Sequence, residues 1–359
     1  MSTATDVLGW LEPRAGGYLT LLETLVRADD LPSCHAALVQ RLGAPRSDDG
    51  GHLLYGDGDG PLIACHYDTV WAPGTAIERP LTVRDGKAYG PGTADMKGGI
   101  VVAIAAVEAL AALAPDTGWR LSLTPDEELG NRGTRETIAQ LSRESTGVLV
   151  LECALPDGGV KTARKGTAEV RITVEGRAAH AGNDHADGAN AVVAAAHLAV
   201  RAAALHDPAA ATVCVGVLRG GERRNVVPDH AELALDVRSF DPAAIEAVFA
   251  ALRDAPTTVP GTRVTVEGEM HRPPMPRTAA IAGLYAIAAG IAGELGFALP
   301  EHAVGGGSEA NLAAGAGAIV LDGLGPVGAG SHALDEHVVV SSIVERAALL
   351  AGLVGALRP

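Results

Sequence analysis

The chain has 359 residues, enough for two domains, and 47% of them are hydrophobic although only 3% are aromatic. That mixture, rich in alanine and valine, suits helices packed on aliphatic strands, so an α/β class is expected. The net charge of −15 argues against nucleic acid or an anionic membrane surface as partner, since both require a basic face.

The first residues carry Asp6 and Glu12 and show neither a basic segment nor an apolar run, so no secretory signal is expected and the cytoplasm is the expected location. Cys34, Cys65, Cys153 and Cys214 are scattered without a Cys-x-x-Cys pair, which indicates neither a disulfide framework nor a thiolate metal site. Helical spacing of apolar residues covers 15–28 and 34–43. The run Pro61–Cys65 reads as a buried strand ending at His66. A glycine-rich segment, Tyr89-Gly-Pro-Gly-Thr-Ala-Asp95, leads into a helix that runs to Pro115. Its apolar core, Ile100 to Ala114, is shorter than the ~20 residues needed to span a bilayer and predicts a buried helix. Arg120–Thr124 reads as a second strand, ending at Pro125-Asp-Glu-Glu128, and Gly147–Leu151 as a third, ending at Glu152. Open α/β sheets place their sites at such strand ends.

From about residue 165 the pattern changes. Alternating strands are predicted at 168–174, 212–218, 231–237 and 263–269, with helices at 190–205 and 242–253. The order β-α-β-β-α-β is that of a ferredoxin-like module. It ends at the proline-rich segment His271–Pro276, after which a strand at 318–322 resumes the first pattern. The last helix is expected to open with a capping box, Ser342 to Glu345. The predicted architecture is therefore a mixed-sheet domain of residues 1–164 and 273–359 interrupted by an inserted domain of residues 165–272.

Chemistry concentrates at the strand ends, on His66, Asp68, Asp95, Glu127, Glu128 and Glu152. Crowding so many carboxylates is costly without compensation, because like charges repel and raise each other's pKa. A pair of divalent cations is the natural compensation. Histidine and carboxylate ligands without cysteine suit zinc, with cobalt or manganese as substitutes. A histidine at one strand end is commonly structural, and paired glutamates in loops are commonly just solvated; here the combination decides.

The segments His66-Tyr-Asp-Thr-Val70, Tyr89–Gly99, Asp126-Glu-Glu128 and Ala179-His-Ala-Gly182 resemble the M20 metallopeptidase family, over essentially the whole chain. The resemblance implies that Asp95 bridges two ions, followed by a cis peptide. It implies that His66 and Glu152 complete one ion's shell, and Glu128 with a late histidine the other's. Asp68 would fix the tautomer of His66, and Glu127 would be the general base. For the late histidine, His332 fits the family's G-x-H-x-x-x-E segment, whereas His337 reads as a surface residue. His180 would reach into the partner subunit's site to stabilise the oxyanion, which requires a homodimer built through residues 165–272. Asn225 and Arg238 resemble positions that bind the substrate's carboxylate, and Gly305-Gly-Gly-Ser-Glu309 resembles an anion-binding loop, with Ser308 as a contact. Cys65 and Cys153 are expected to pack in the core.

The implied activity is a cytoplasmic di-zinc hydrolase cutting an amide bond beside a free carboxylate, on a small molecule or short peptide. Glu152 and Arg238 favour release of a C-terminal amino acid or removal of an N-acyl group, and the segment Leu151–Asp157 with the glycine loop resembles the glutamate carboxypeptidase branch, with an N-acyl-amino-acid deacylase as the alternative. An inactive binding relative would be expected to lack Glu127 or a ligand. A serine hydrolase built on Ser308 lacks the G-x-S-x-G elbow.

Overall fold

A computed structural model describes residues 3–256 and 258–358, which form two compact units. The first comprises residues 3–163, 276–304 and 308–358; the second comprises Arg164–Met275 and Gly305–Gly307.

The first unit is built on an eight-stranded mixed sheet. Its centre is parallel: Leu62–His66 lies between Arg120–Thr124 and Val148–Val150, and Val320–Asp322 runs parallel to Val148–Val150 on the far side. These central strands are buried along their whole length, as parallel strands in the middle of a sheet commonly are. His52–Tyr55 extends the sheet antiparallel to Arg120–Thr124. Because the four parallel strands share one direction, their C-terminal ends, His66, Thr124, Val150 and Asp322, fall along one edge.

The stretch Thr93–Leu113 is the one segment among the described residues long and apolar enough to cross a bilayer, yet most of it is buried inside the protein. Its regular helix, Gly98–Leu113, is apolar all round and serves as a central core element, packed against the last helix, Ser342–Ala356. Gly98 and Gly99 make its approach possible. A side chain at Gly99 would collide with the carbonyl of Leu151, just past the strand Val148–Val150.

The capping box expected at Ser342 does not form. Ser342 is already the first helical residue, and its hydroxyl turns back to donate to the Val339 carbonyl and accept from the Val327 amide. The neighbouring Ser341 takes the cap position without a side-chain bond.

The second unit contains a four-stranded antiparallel sheet in the order Thr212–Gly220, His230–Ser239, Gly166–Glu175, Arg263–Arg272. Gly166–Glu175 alternates strictly between buried and less buried positions, and its inward residues Val170, Ile172 and Val174 meet the helices Ala191–Ala203 and Pro242–Arg253 in a separate core. Asn190 and Asp241 cap those helices through their side chains.

Candidate active site

The strand ends of the first unit bring the candidate residues together. His66 closes its strand and is fully buried. Thr124, its partner in register, leads in four residues to Glu128, and Val150 leads in two to Glu152. Asp95 lies in the irregular turn Thr93–Lys97 that precedes the core helix, with non-helical dihedrals and a cis peptide to Met96. His332 comes from a loop after Gly328–Ala329 and adopts a left-handed conformation, φ 64°. That conformation costs a non-glycine residue about 1–2 kcal/mol, which marks the position as held by its surroundings.

The two oxygens of Asp95 face different histidines. Oδ1 lies 3.1 Å from His66 Nε2, and Oδ2 lies 3.2 Å from His332 Nε2. On the first side Glu152 Oε1 stands 3.7 Å from His66 Nε2; on the second Glu128 Oε1 stands 3.2 Å from His332 Nε2. Two ligand groups result, His66–Asp95–Glu152 and Asp95–Glu128–His332, each with its donor atoms within 4.8 Å of one another. Cys65 is buried and Cys153 packs against the core, and neither belongs to these groups.

The electrostatics of the groups fit cations. Burial, and then the neighbouring Asp95, push the Glu152 carboxyl up to about 8 and Glu128 up to about 7. Burial opposes the charge on Asp95 too, but hydrogen bonds with His332 and His66 outweigh it and hold that carboxyl far below the usual range. Burial likewise disfavours a charged His66, yet hydrogen bonds to Asp68 and Asp95 reverse the balance. Hydrogen bonding to Asp95, against burial, raises His332 to about 9. Three carboxylates competing for two imidazolium protons form a site that divalent cations would relieve, and the nitrogen and oxygen donors suit zinc.

Asp68 supports this arrangement at two points. Its Oδ1 lies 3.2 Å from His66 Nδ1, and since a carboxylate only accepts, Nδ1 carries a proton, which would leave Nε2 as the nitrogen able to give its lone pair to a bound cation. The same carboxylate accepts the backbone amides of Glu127 and Glu128, at 3.2 and 2.9 Å. Glu127 is outside both ligand groups, although its charge reaches His66 and Glu128.

Glu336 is a residue whose role the sequence left unread. Fully buried, it accepts from the amides of Ala94 and Asp95 through Oε1, and from the Gly92 amide and the Trp71 indole through Oε2. It therefore pins the turn that carries Asp95. Glu336→Gln would oppose an NH2 group to two N–H donors, leaving buried donors unpaired at about 1–3 kcal/mol each. The expected result is a lower melting temperature and weaker metal retention, read by calorimetry with and without added metal.

Ser308 does not have the position a substrate contact needs. It is fully buried, its hydroxyl donates to Asp322 and accepts from the Ala310 amide, and it caps the helix Glu309–Gly315. The neighbouring Glu309 is buried as well, accepting from the Thr124 hydroxyl and the Asn131 amide group. In the second unit the glycine loop has two carbonyls engaged: Gly305 accepts from Arg238 and Gly306 from Arg164.

The remaining candidates lie in the second unit. His180 is exposed, and its Nδ1 accepts the amides of Gly182 and Asn183 at 3.2 and 3.0 Å, which places its ring proton on Nε2. The Asn225 carbonyl accepts from Ala181, beside His180, while the Asn225 residue itself is exposed. Arg238 is held by Asp236 through Nε at 2.7 Å and Nη2 at 3.1 Å. His337 stacks near Tyr89 and bonds the Asp335 carbonyl, outside both ligand groups.

Paired histidine–carboxylate groups gathered beside the strand ends of a mixed α/β sheet form a candidate metal centre. Residues 62–356 match peptidase family M20/M25/M40, and the chain belongs to that family. It is similar to carboxypeptidase G2 of Pseudomonas sp. (strain RS-16), 31% identical over 306 residues, covering 82% of this chain and 72% of that protein. It also resembles succinyl-diaminopimelate desuccinylase of Xanthomonas euvesicatoria pv. vesicatoria, 28% identical across 92% of this chain and 96% of that enzyme. In fold it resembles a tripeptidase from Staphylococcus aureus, with a TM-score of 0.78 over 96% of this chain and 98% of the other at 20% identity. The protein is thus an enzyme that hydrolyses amide bonds with the help of metal.

Proposed function

We propose that the protein is a di-zinc hydrolase that cleaves an amide bond beside a free carboxylate, releasing a C-terminal amino acid. The observation that carries this reading is the division of Asp95 between two ligand groups, one oxygen to each. His66, Asp95 and Glu152 would hold one ion, and Asp95, Glu128 and His332 the other. Zinc bound there would supply Lewis acidity, acidifying water and polarising the scissile carbonyl.

The chain's own residues then do the rest. Glu127 takes a proton from the attacking water and passes it to the leaving nitrogen. Asp68 keeps the His66 lone pair on Nε2 and anchors the backbone of Glu127 and Glu128. His180, with its proton on Nε2, donates to the oxyanion of a partner subunit's substrate. Arg238 exchanges its bond with Asp236 for the substrate's carboxylate, and Asn225 adds a polar contact.

This assigns residues 165–272 as a ferredoxin-like dimerisation domain. Two features support it. The edge strand Thr212–Gly220 exposes Val217 and Leu218, and the helix Ala191–Ala203 exposes Val193 and Val200. A second reading, an N-acyl-amino-acid deacylase, is favoured by the near-complete coverage of the desuccinylase relative.

The test is metal content by mass spectrometry, with hydrolysis of dipeptides and N-acyl-amino acids before and after chelation. Two zinc ions per chain are expected, with activity lost on chelation and restored by zinc or cobalt. Full activity in metal-free protein would overturn the mechanism. Turnover of acyl-amino acids but not dipeptides would select the deacylase reading.

A further inference from the structure

Resting on the reading of Glu127 as general base, we infer that Glu309 is a positioning residue for that base, closing the two ends of the loop that presents it. Glu309 is 2% exposed, opens the helix Glu309–Gly315 and belongs to neither metal-binding group. A carboxylate withdrawn from water to this degree needs donors around it. Its Oε1 accepts from the Thr124 hydroxyl and, at 3.2 Å, from the Asn131 side-chain amide.

Those two donors stand at the two ends of one loop. Thr124 is the last residue of its strand, and Asn131 follows directly on residues 125–130, which include Glu127 and Glu128. One carboxylate oxygen therefore fastens both ends. Between them the backbone folds on itself: the Asp126 carbonyl accepts the amides of Leu129 and Asn131 at 3.3 and 2.7 Å, and the Glu127 carbonyl accepts that of Gly130 at 2.8 Å. Asn131 is fully buried in a left-handed conformation, φ 53°, and its side chain also donates to the Thr134 hydroxyl at 3.2 Å. That hydroxyl donates in turn to Asp126 at 2.6 Å. A continuous chain of bonds thus runs from Glu309 to the residue just before the base.

Asp68 holds the middle of the same loop through the amides of Glu127 and Glu128. With the ends fixed as well, the backbone of Glu127 has little room to shift. Ser308, beside Glu309, donates to Asp322, so two adjacent residues reach the ends of Arg120–Thr124 and Val320–Asp322. Between those strands lie the two that lead to His66 and Glu152. The loop of the base is thereby referred to the same strand ends that carry the ligands. Such precision matters, because a displacement of ~1 Å at a reacting group can cost about 10²-fold in rate.

The test compares Glu309→Ala with Glu309→Gln at saturating zinc. Glu309→Ala is expected to lower kcat about 10²-fold while KM changes less than about threefold. Glu309→Gln keeps an oxygen able to accept from both donors, and should recover about tenfold or more of that loss. In a Glu127→Gln background, Glu309→Ala should cost less than about threefold further, because a residue that acts only through the base has nothing left to position. Should Glu309→Ala fail to fold, Thr124→Val removes one donor at nearly constant shape; it is expected to lower kcat about tenfold, and to lose that effect in Glu127→Gln. Losses that multiply in the double variant, or a change in KM alone, would overturn the inference. Hydrogen–deuterium exchange on metal-free protein tests the anchor apart from turnover. The amides of Leu129, Gly130 and Asn131 should exchange about tenfold faster in Glu309→Ala than in the wild type, with the helix Gly98–Leu113 unchanged. That result supports the anchor even where Glu127→Gln keeps full activity, in which case the proposed reaction alone fails. Unchanged exchange in the loop, or faster exchange throughout the unit, overturns the anchor even in an active enzyme.

Discussion

Glu127→Gln is expected to lower kcat by about 10²–10⁴-fold, the usual contribution of one positioned base, while the proposed pair of zinc ions remains bound. The amide is nearly isosteric with the carboxylate but cannot accept the water's proton. The backbone should not move, because the Glu127 and Glu128 amides are both tied to Asp68. Nor should the metals leave, because Glu127 stands outside both ligand groups. Glu128→Gln provides the contrast, removing a charge from the second group and with it metal affinity. Metal analysis beside steady-state kinetics separates the two. Wild-type turnover in Glu127→Gln would remove that residue from the mechanism.

The second large effect concerns His180. With Nδ1 accepting two backbone amides, the imidazole is set to donate through Nε2, the arrangement an oxyanion requires. Loss of one such donor commonly costs about 10²–10³-fold in kcat, and this is the expected result for His180→Ala, with zinc content unchanged. The proposed dimer adds a sharper test. A mixed dimer of His180→Ala and Glu127→Gln subunits rebuilds one site that has both groups, so two inactive proteins should recover part of the activity on mixing. Verified mixed dimers without recovery would place His180 outside the partner's site.

Much of the candidate site could be read from the sequence, because it is assembled from strand ends. In the sheet, a buried strand that gives way within a few residues to a charged side chain delivers that charge to the sheet's edge. Leu62–His66 ends on His66 itself, Arg120–Thr124 leads in four residues to Glu128 and Val148–Val150 in two to Glu152, and parallel pairing lines up their ends. Alternation in Gly166–Glu175 similarly announced a half-buried strand.

The misreadings share a different cause. Ser308 sits in a glycine-rich segment that resembles an exposed binding loop, yet Asp322, fourteen residues on, takes its hydroxyl into the core. Glu336 closes the G-x-H-x-x-x-E segment, but that motif does not show its task, since the amides it holds are more than two hundred residues away. The bond between Arg238 and Asp236 could have been anticipated, because residues two apart share a strand face.

The sequence by itself determined the larger elements and the family, because local periodicity and residue type suffice for these. Only the tertiary structure decided which oxygen of Asp95 faces which histidine, which nitrogen of His180 accepts from the backbone, and which donors gather round Glu309. Those depend on atoms that approach to about 3 Å across long separations in the chain, and no local pattern encodes such distances.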